Sequence, residues 1–137
     1  MCGQGAAGCA NSAFVGDAAS GAINPDVKVM IQSGVTGTAL QQTLIHEGSH
    51  VSDALNFIGS WDLSTTSFDS AKNYTFYATE LKAYRLETMV DLSSPHRFRG
   101  QVPAQTDTLI DAFLRASPLY GPRLNNWVFD PKFTKPR

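Results

Sequence analysis

"TLIHEGSHVSD", residues 43–53, sets two of the chain's three histidines four positions apart, with one of its three glutamates beside the first. Around it Leu40, Leu44, Val51, Leu55 and Ile58 recur at intervals of three, four and seven residues, the spacing of an apolar stripe along a helix. The spacing predicts a helix over 38–58, with Thr36 or Thr38 as its cap, Gly59 as its stop and the leucine stripe buried. His46, His50, Asp53 and Phe57 form a second stripe, because helix residues three or four apart lie above one another. Both histidines therefore point the same way.

His46, Glu47 and His50 fit the pattern H-E-x-x-H. One helical turn brings two imidazoles to the separation that a tetrahedral zinc needs, about 2.0–2.1 Å from each ring nitrogen. The intervening carboxylate stands beside the metal, placed to take a proton from zinc-bound water and return it to a leaving amine. The plain alternative is a pair of half-buried helix histidines satisfied by neighbouring hydrogen bonds. Random placement of three His and three Glu gives the pattern in roughly one such chain in a thousand, which favours the metal. Two histidines and a water leave zinc one protein ligand short. Glu80, mid-helix in "YATELKAYRLE", is the leading choice because Tyr84 rather than Lys or Arg occupies its i+4 position. The competitors are Asp53, Glu87, His96 and Cys9. Asp53 has a short side chain on the same helix and suits better the orienting of the outer nitrogen of His50. Glu87, near the helix end, reads as a surface ion pair, and Cys9 would supply a thiolate.

Outward from this helix, residues 1–24 are rich in Gly, Ala and Ser and read as a loosely structured opening with a short helix near "SAFVGDAAS". In "NPDVKVMIQSG" Val27, Val29 and Ile31 alternate with polar or flexible neighbours, which predicts a half-buried strand. Residues 60–73 read as a loop. A second helix is expected over 74–92, capped by Asn73 or Ser70, with Phe76, Glu80, Ala83, Tyr84 and Glu87 on one face. "SSPHRFRGQVP" ends it. "TDTLIDAFLRAS" predicts a third helix, capped by Thr106 and burying Leu109, Ile110, Phe113 and Leu114. The proline-rich tail is expected to be irregular apart from a short strand at "NNWVF".

With 137 residues, 42% hydrophobic, 17% charged and a net charge of −1, the chain suits a single α+β domain over 1–137 with its own core. It carries no cationic excess for a nucleic acid backbone. No apolar run approaches the roughly 20 residues of a membrane span, so membrane insertion is not expected. Cys2 and Cys9 are close enough to close a small disulfide loop and equally suit reduced thiols. The opening "MCGQGAAGCANSAF" reads as a cut inside a longer protein.

On the H-E-x-x-H motif, the sequence resembles the zincin metallopeptidases, and within them the gluzincin branch, whose third ligand is a glutamate on a following helix. The resemblance covers roughly residues 27–91. It implies a small zincin-like α+β domain that hydrolyses peptide bonds. His46, His50 and Glu80 would hold Zn2+, Glu47 would act as base, and the strand "VKVMIQS" would be the edge that binds an extended peptide. The E-N-x-x-D signature of thermolysin-like enzymes is absent, since Ala83 and Tyr84 occupy its last two places. Peptide deformylases also carry H-E-x-x-H, but "GQGAAGC" does not match their glycine-rich signature. A donor for the developing oxyanion is sought among Tyr84, Tyr77, Tyr74 and His96, with Tyr84 favoured because it shares the face of Glu80. The size and glycine-rich opening also resemble C-terminal metallopeptidase toxin domains of large bacterial proteins. That likeness implies secretion or delivery into a target cell, with a cognate immunity protein as partner. The alternative is a non-catalytic binding or effector module with a structural zinc.

Overall fold

A computed structural model describes residues 6–17, 19–90, 103–130 and 132–134. Two strands, β1 (Gly8–Asp17) and β2 (Ala22–Ile31), precede helix α1 (Gly37–Ile58). A 3-10 turn (Ser70–Lys72), α2 (Phe76–Val90), α3 (Pro103–Ala116), a second 3-10 turn (Gly121–Arg123) and β3 (Lys132–Thr134) complete the order. The architecture is α+β. The sheet runs β2-β1-β3. β1 pairs antiparallel with β2 from Gly8↔Ile31 to Asp17↔Ala22, while β3 meets only residues 15–17, in parallel. Gly21, at φ +68, takes the left-handed conformation that the tight connection between β1 and β2 requires.

The opening segment therefore differs from its expected loose structure and short helix: β1 occupies it. Its Gly, Ala and Ser residues carry little apolar periodicity, but pairing with β2 satisfies their backbone groups, and strand formation follows from the partner. The strand expected near residues 27–31 is present as part of β2.

α1 has nearly its expected bounds, with Thr36 at the cap position, although its side chain makes no capping hydrogen bond. Its most buried face is the polar stripe, while Leu40, Val51 and Ile58 of the apolar stripe are only half-buried. Leu44 and Leu55 are 49% and 59% exposed, whereas His46, Glu47 and Asp53 are 6%, 5% and 1% exposed. The polar stripe lies against α2 and β1. It can be buried there because its charged and polar groups find partners across the interface.

α2 begins at Phe76, and its cap is Thr75, whose hydroxyl accepts the Ala78 N–H at 3.3 Å. The tail supplies two further acceptors, the carbonyls of Asn126 and Leu124 for the N–H groups of Phe76 and Tyr77. These satisfy donors that the first turn of a helix cannot pair internally. Asn73 is not the cap; its amide bridges to both the N–H and the C=O of Phe129. The tail is thus pinned to the start of α2, and "NNWVF" contributes one bridge, Thr75↔Trp127, in place of the expected strand. α3 starts at Pro103, ahead of Thr106, where the fixed φ of proline suits a first helical turn. Ile110 and Leu114 are fully buried, while Leu109 is exposed.

The buried apolar residues form two small cores. Tyr84, Ile110, Leu114 and Leu124 form one, between α2, α3 and the tail. Ala54, Phe57 and Phe129 form the other, with the rings of Phe57 and Phe129 stacked at 4.8 Å.

Candidate metal centre

The i, i+4 spacing on α1 places the rings of His46 and His50 edge to face with centroids 4.9 Å apart. Across from them, α2 delivers Glu80. Its Oε2 lies 3.2 Å from His46 Nε2 and its Oε1 3.5 Å from His50 Nε2. One ligand atom from each of the three residues can be chosen with all of them within 4.8 Å of one another, so this buried group can hold a metal ion. Glu80 Oε2 is buried without a formed hydrogen bond, its neighbour being His46 Nε2 at 3.2 Å, and such an oxygen is costly unless it faces a cation, either a protonated imidazole or a metal ion.

Behind this group the outer ring nitrogen of His50 is hydrogen-bonded, while that of His46 faces a carboxylate at ion-pair distance without a formed hydrogen bond. His50 Nδ1 lies 3.0 Å from Thr79 Oγ1, and Thr79 gives its one hydroxyl proton to Asp53 Oδ2 at 2.6 Å. Thr79 must then accept from His50, which fixes the Nδ1–H tautomer and leaves the Nε2 lone pair facing Glu80. Asp53, 1% exposed, also pairs with Lys82. It thus orients His50 through Thr79 rather than by the direct contact expected. His46 Nδ1 stands 3.4 Å from Glu87 Oε1. Glu87, expected at the surface, is therefore turned inward behind His46.

The two imidazoles differ in charge. Burial works against the imidazolium of His46, but Glu80 and Glu87 outweigh it and push its pKa up to about 9. Burial lowers the pKa of His50, aided by the nearby charges of His46 and Lys82 against Glu80 and Asp53. In the metal-free protein one proton thus occupies the site on His46, where a divalent cation would replace it.

Glu47 lies outside the ligand group. Burial raises its pKa, while its carboxylate accepts the backbone N–H of Ala10. β1 crosses α1 here at close range. A Cβ on Gly8 would fall 2.6 Å from Thr43 Cγ2 and 3.2 Å from Glu47 Cγ, so this approach requires glycine. β1 is thus the strand nearest the site; β2 lies on its far side and reaches the site through Val27, which lines a small cavity with His50, Thr79 and Glu80. The bond from Gln32 N–H to the Ala7 carbonyl, with the β1–β2 register, makes residues 7, 9 and 11 the hydrogen-bonded positions. The main-chain groups of Gly8, Ala10 and Ser12 consequently face away from β2, towards the cleft these residues line with His50 and Glu80.

Two clefts meet at His46 and Glu47. A cavity of about 510 Å³ is walled by Ala7, Tyr84, Glu87, Phe113 and Tyr120, among others. A second, of about 210 Å³, adds Ser12, His50, Phe76, Glu80 and Arg123. Tyr120 lines both. Its hydroxyl shares a hydrogen bond with Tyr84, and burial, then the charge of Glu80, raises its pKa, so the phenol remains a proton donor. Tyr84 itself is buried with its ring edge-on to His46 at 4.6 Å. Tyr77 is drawn off by Asp111, to which its hydroxyl donates at 2.7 Å, and Tyr74 lies beneath Lys82. Cys9 is disulfide-bonded and offers no thiolate; His96 lies outside the described residues.

The sequence reading missed Tyr120, Thr79 and the inward turn of Glu87. Thr79 had a local signal, since it immediately precedes Glu80. Tyr120 had none, because it comes from an irregular tail placed by long-range hydrogen bonds. No protein-family model, curated protein or solved structure matches the chain.

Proposed function

We propose that the protein is a zinc-dependent peptidase, with His46, His50 and Glu80 as the metal ligands and Glu47 as the general base. One observation carries the reading: both Nε2 atoms and the Glu80 carboxylate converge while Glu47 stays beside them, outside the ligand group, on the wall of both clefts. Two imidazoles and one carboxylate suit zinc, and three protein ligands leave a position for chemistry. When bound, the metal supplies Lewis acidity that activates water near neutral pH and polarises a carbonyl.

The protein's own groups supply the rest. Outward main-chain groups of Gly8 and Ser12, with the carbonyl of Ala10, hold an extended peptide by strand addition. Ala10 N–H aims the Glu47 carboxylate. Glu47, its pKa raised by burial, takes the proton of the attacking water and passes it to the amine nitrogen of the broken bond. Tyr120 donates its hydroxyl proton in a hydrogen bond to the carbonyl oxygen as negative charge builds. Size and motif further support, by resemblance alone, an effector domain delivered into bacterial cells and restrained by an immunity protein.

Glu47→Gln tests the mechanism. The variant should bind zinc like the parent and lose peptide hydrolysis by at least about 10²-fold; undiminished hydrolysis by a metal-loaded variant overturns the assignment. X-ray absorption at the zinc edge tests the site itself, since a fourth protein ligand would make the metal structural.

A further inference from the structure

Four cations of the described residues have carboxylate partners: Lys28 with Asp26, Lys82 with Asp53, Arg85 with Asp107 and Arg115 with Asp111. Arg123 differs. It lines the smaller cleft together with His50 and Glu80, and among the described residues no carboxylate stands against its guanidinium. Its backbone is anchored, the N–H donating to the Tyr120 carbonyl and the carbonyl accepting from Asn126, both at 2.8 Å. Pro122 lies inside the same 3-10 turn and restricts it further. A charged side chain on a rigid turn at the wall of a cleft is prepared for an anion without a large ordering cost.

The two clefts are polarised by this residue. Each cleft has two carboxylates on its wall, Glu47 and Glu87 in the larger and Glu47 and Glu80 in the smaller, and the larger has no Lys or Arg among its described wall residues. The smaller one has Arg123. A planar guanidinium recognises a carboxylate through two parallel hydrogen bonds.

We infer that the substrate presents a carboxylate to Arg123, so that the protein selects peptides bearing an acidic side chain or a free C-terminus on the His50 side of the metal. The inference rests on the peptidase reading and sharpens it. It predicts discrimination between two substrates that differ by one charge at one side of the scissile bond.

Binding to the zinc-loaded protein tests it without any turnover. Three peptide hydroxamates are compared by calorimetry: one neutral with an amidated end, one amidated with a glutamate side chain, and one neutral with a free C-terminal carboxylate. One of the two acidic compounds should bind about tenfold more tightly than the neutral one, and whichever does so identifies the source of the carboxylate. In Arg123→Gln the ratio should fall to about one, and Arg123→Lys should keep part of it. Arg123→Glu should prefer a lysine-bearing hydroxamate. Equal affinity of all three compounds for the parent protein, or a preference that survives Arg123→Gln, overturns the assignment to Arg123. Failure of every hydroxamate to bind a protein shown to hold zinc instead overturns the open catalytic site, and this inference with it.

Discussion

The hydroxyl of Thr79 stands 3.0 Å from Nδ1 of His50. Because the same hydroxyl donates to Asp53 at 2.6 Å, it acts towards the imidazole only as an acceptor. Replacement by valine removes that acceptor and leaves the tautomer of His50 free. Thr79→Val should weaken zinc binding about 10–100-fold, measured by competition with a chelator, while Thr79→Ser should retain it. Equal zinc affinities in the valine and serine variants would show that the relay does not matter.

His46 provides a pH signature. Its pKa in the metal-free fold lies near 9, against 6.5 for an unperturbed histidine. The stability it contributes is complete below pH 6.5 and is lost as the pH rises through about 9. The magnitude is on the order of 3 kcal/mol at most. The metal-free protein should therefore melt at a progressively lower temperature between pH 7 and 10. Glu87→Gln removes one of the charges that hold the proton, so its decline should be shallower. Parallel melting profiles for the two proteins would refute a charge coupling between Glu87 and His46.

Tyr120 reaches both clefts. Tyr120→Phe should lower kcat about 10²-fold with the zinc content of the parent protein. The same change at Tyr84, buried beneath it, should cost less. If Tyr84→Phe proves the more damaging, the donor is Tyr84.

At Gly8 the backbone of β1 touches α1 so closely that an added methyl meets Thr43 Cγ2 at 2.6 Å. Gly8→Ala should destabilise the protein by about 1–3 kcal/mol and disturb Glu47. Thr43→Ser removes the opposing methyl but keeps the hydroxyl that bonds the Ala39 carbonyl. The double variant should recover much of the lost stability in chemical denaturation; additive losses would place the clash elsewhere.

The two faces of α1 can be told apart by one substitution on each. Leu55 is 59% exposed and Phe57 is fully buried. Leu55→Glu should alter stability by no more than about 0.5 kcal/mol, whereas Phe57→Ala should cost about 3–5 kcal/mol. A large loss at Leu55 would mean that the leucine stripe is covered after all.

Local features of the site can be read from residue spacing alone. A four-residue spacing on a helix sets His46 and His50 side by side with Glu47 beside them, whatever surrounds the helix. The bounds of α1 and the strand containing Val27, Val29 and Ile31 follow from short-range periodicity of the same kind. Tertiary structure decided which side of α1 is buried, because a polar stripe goes inside only where partners meet it. Glu80, Thr79, Lys82 and Glu87 on α2 are those partners. It also chose Glu80 over Asp53 and Glu87 to face both Nε2 atoms, since reach across two packed helices depends on their relative placement. Tyr120 and Arg123 were the least legible. Their positions depend on a tail pinned to the first turn of α2 through Asn73 and the carbonyls of Leu124 and Asn126, contacts between residues about fifty positions apart that no local pattern encodes.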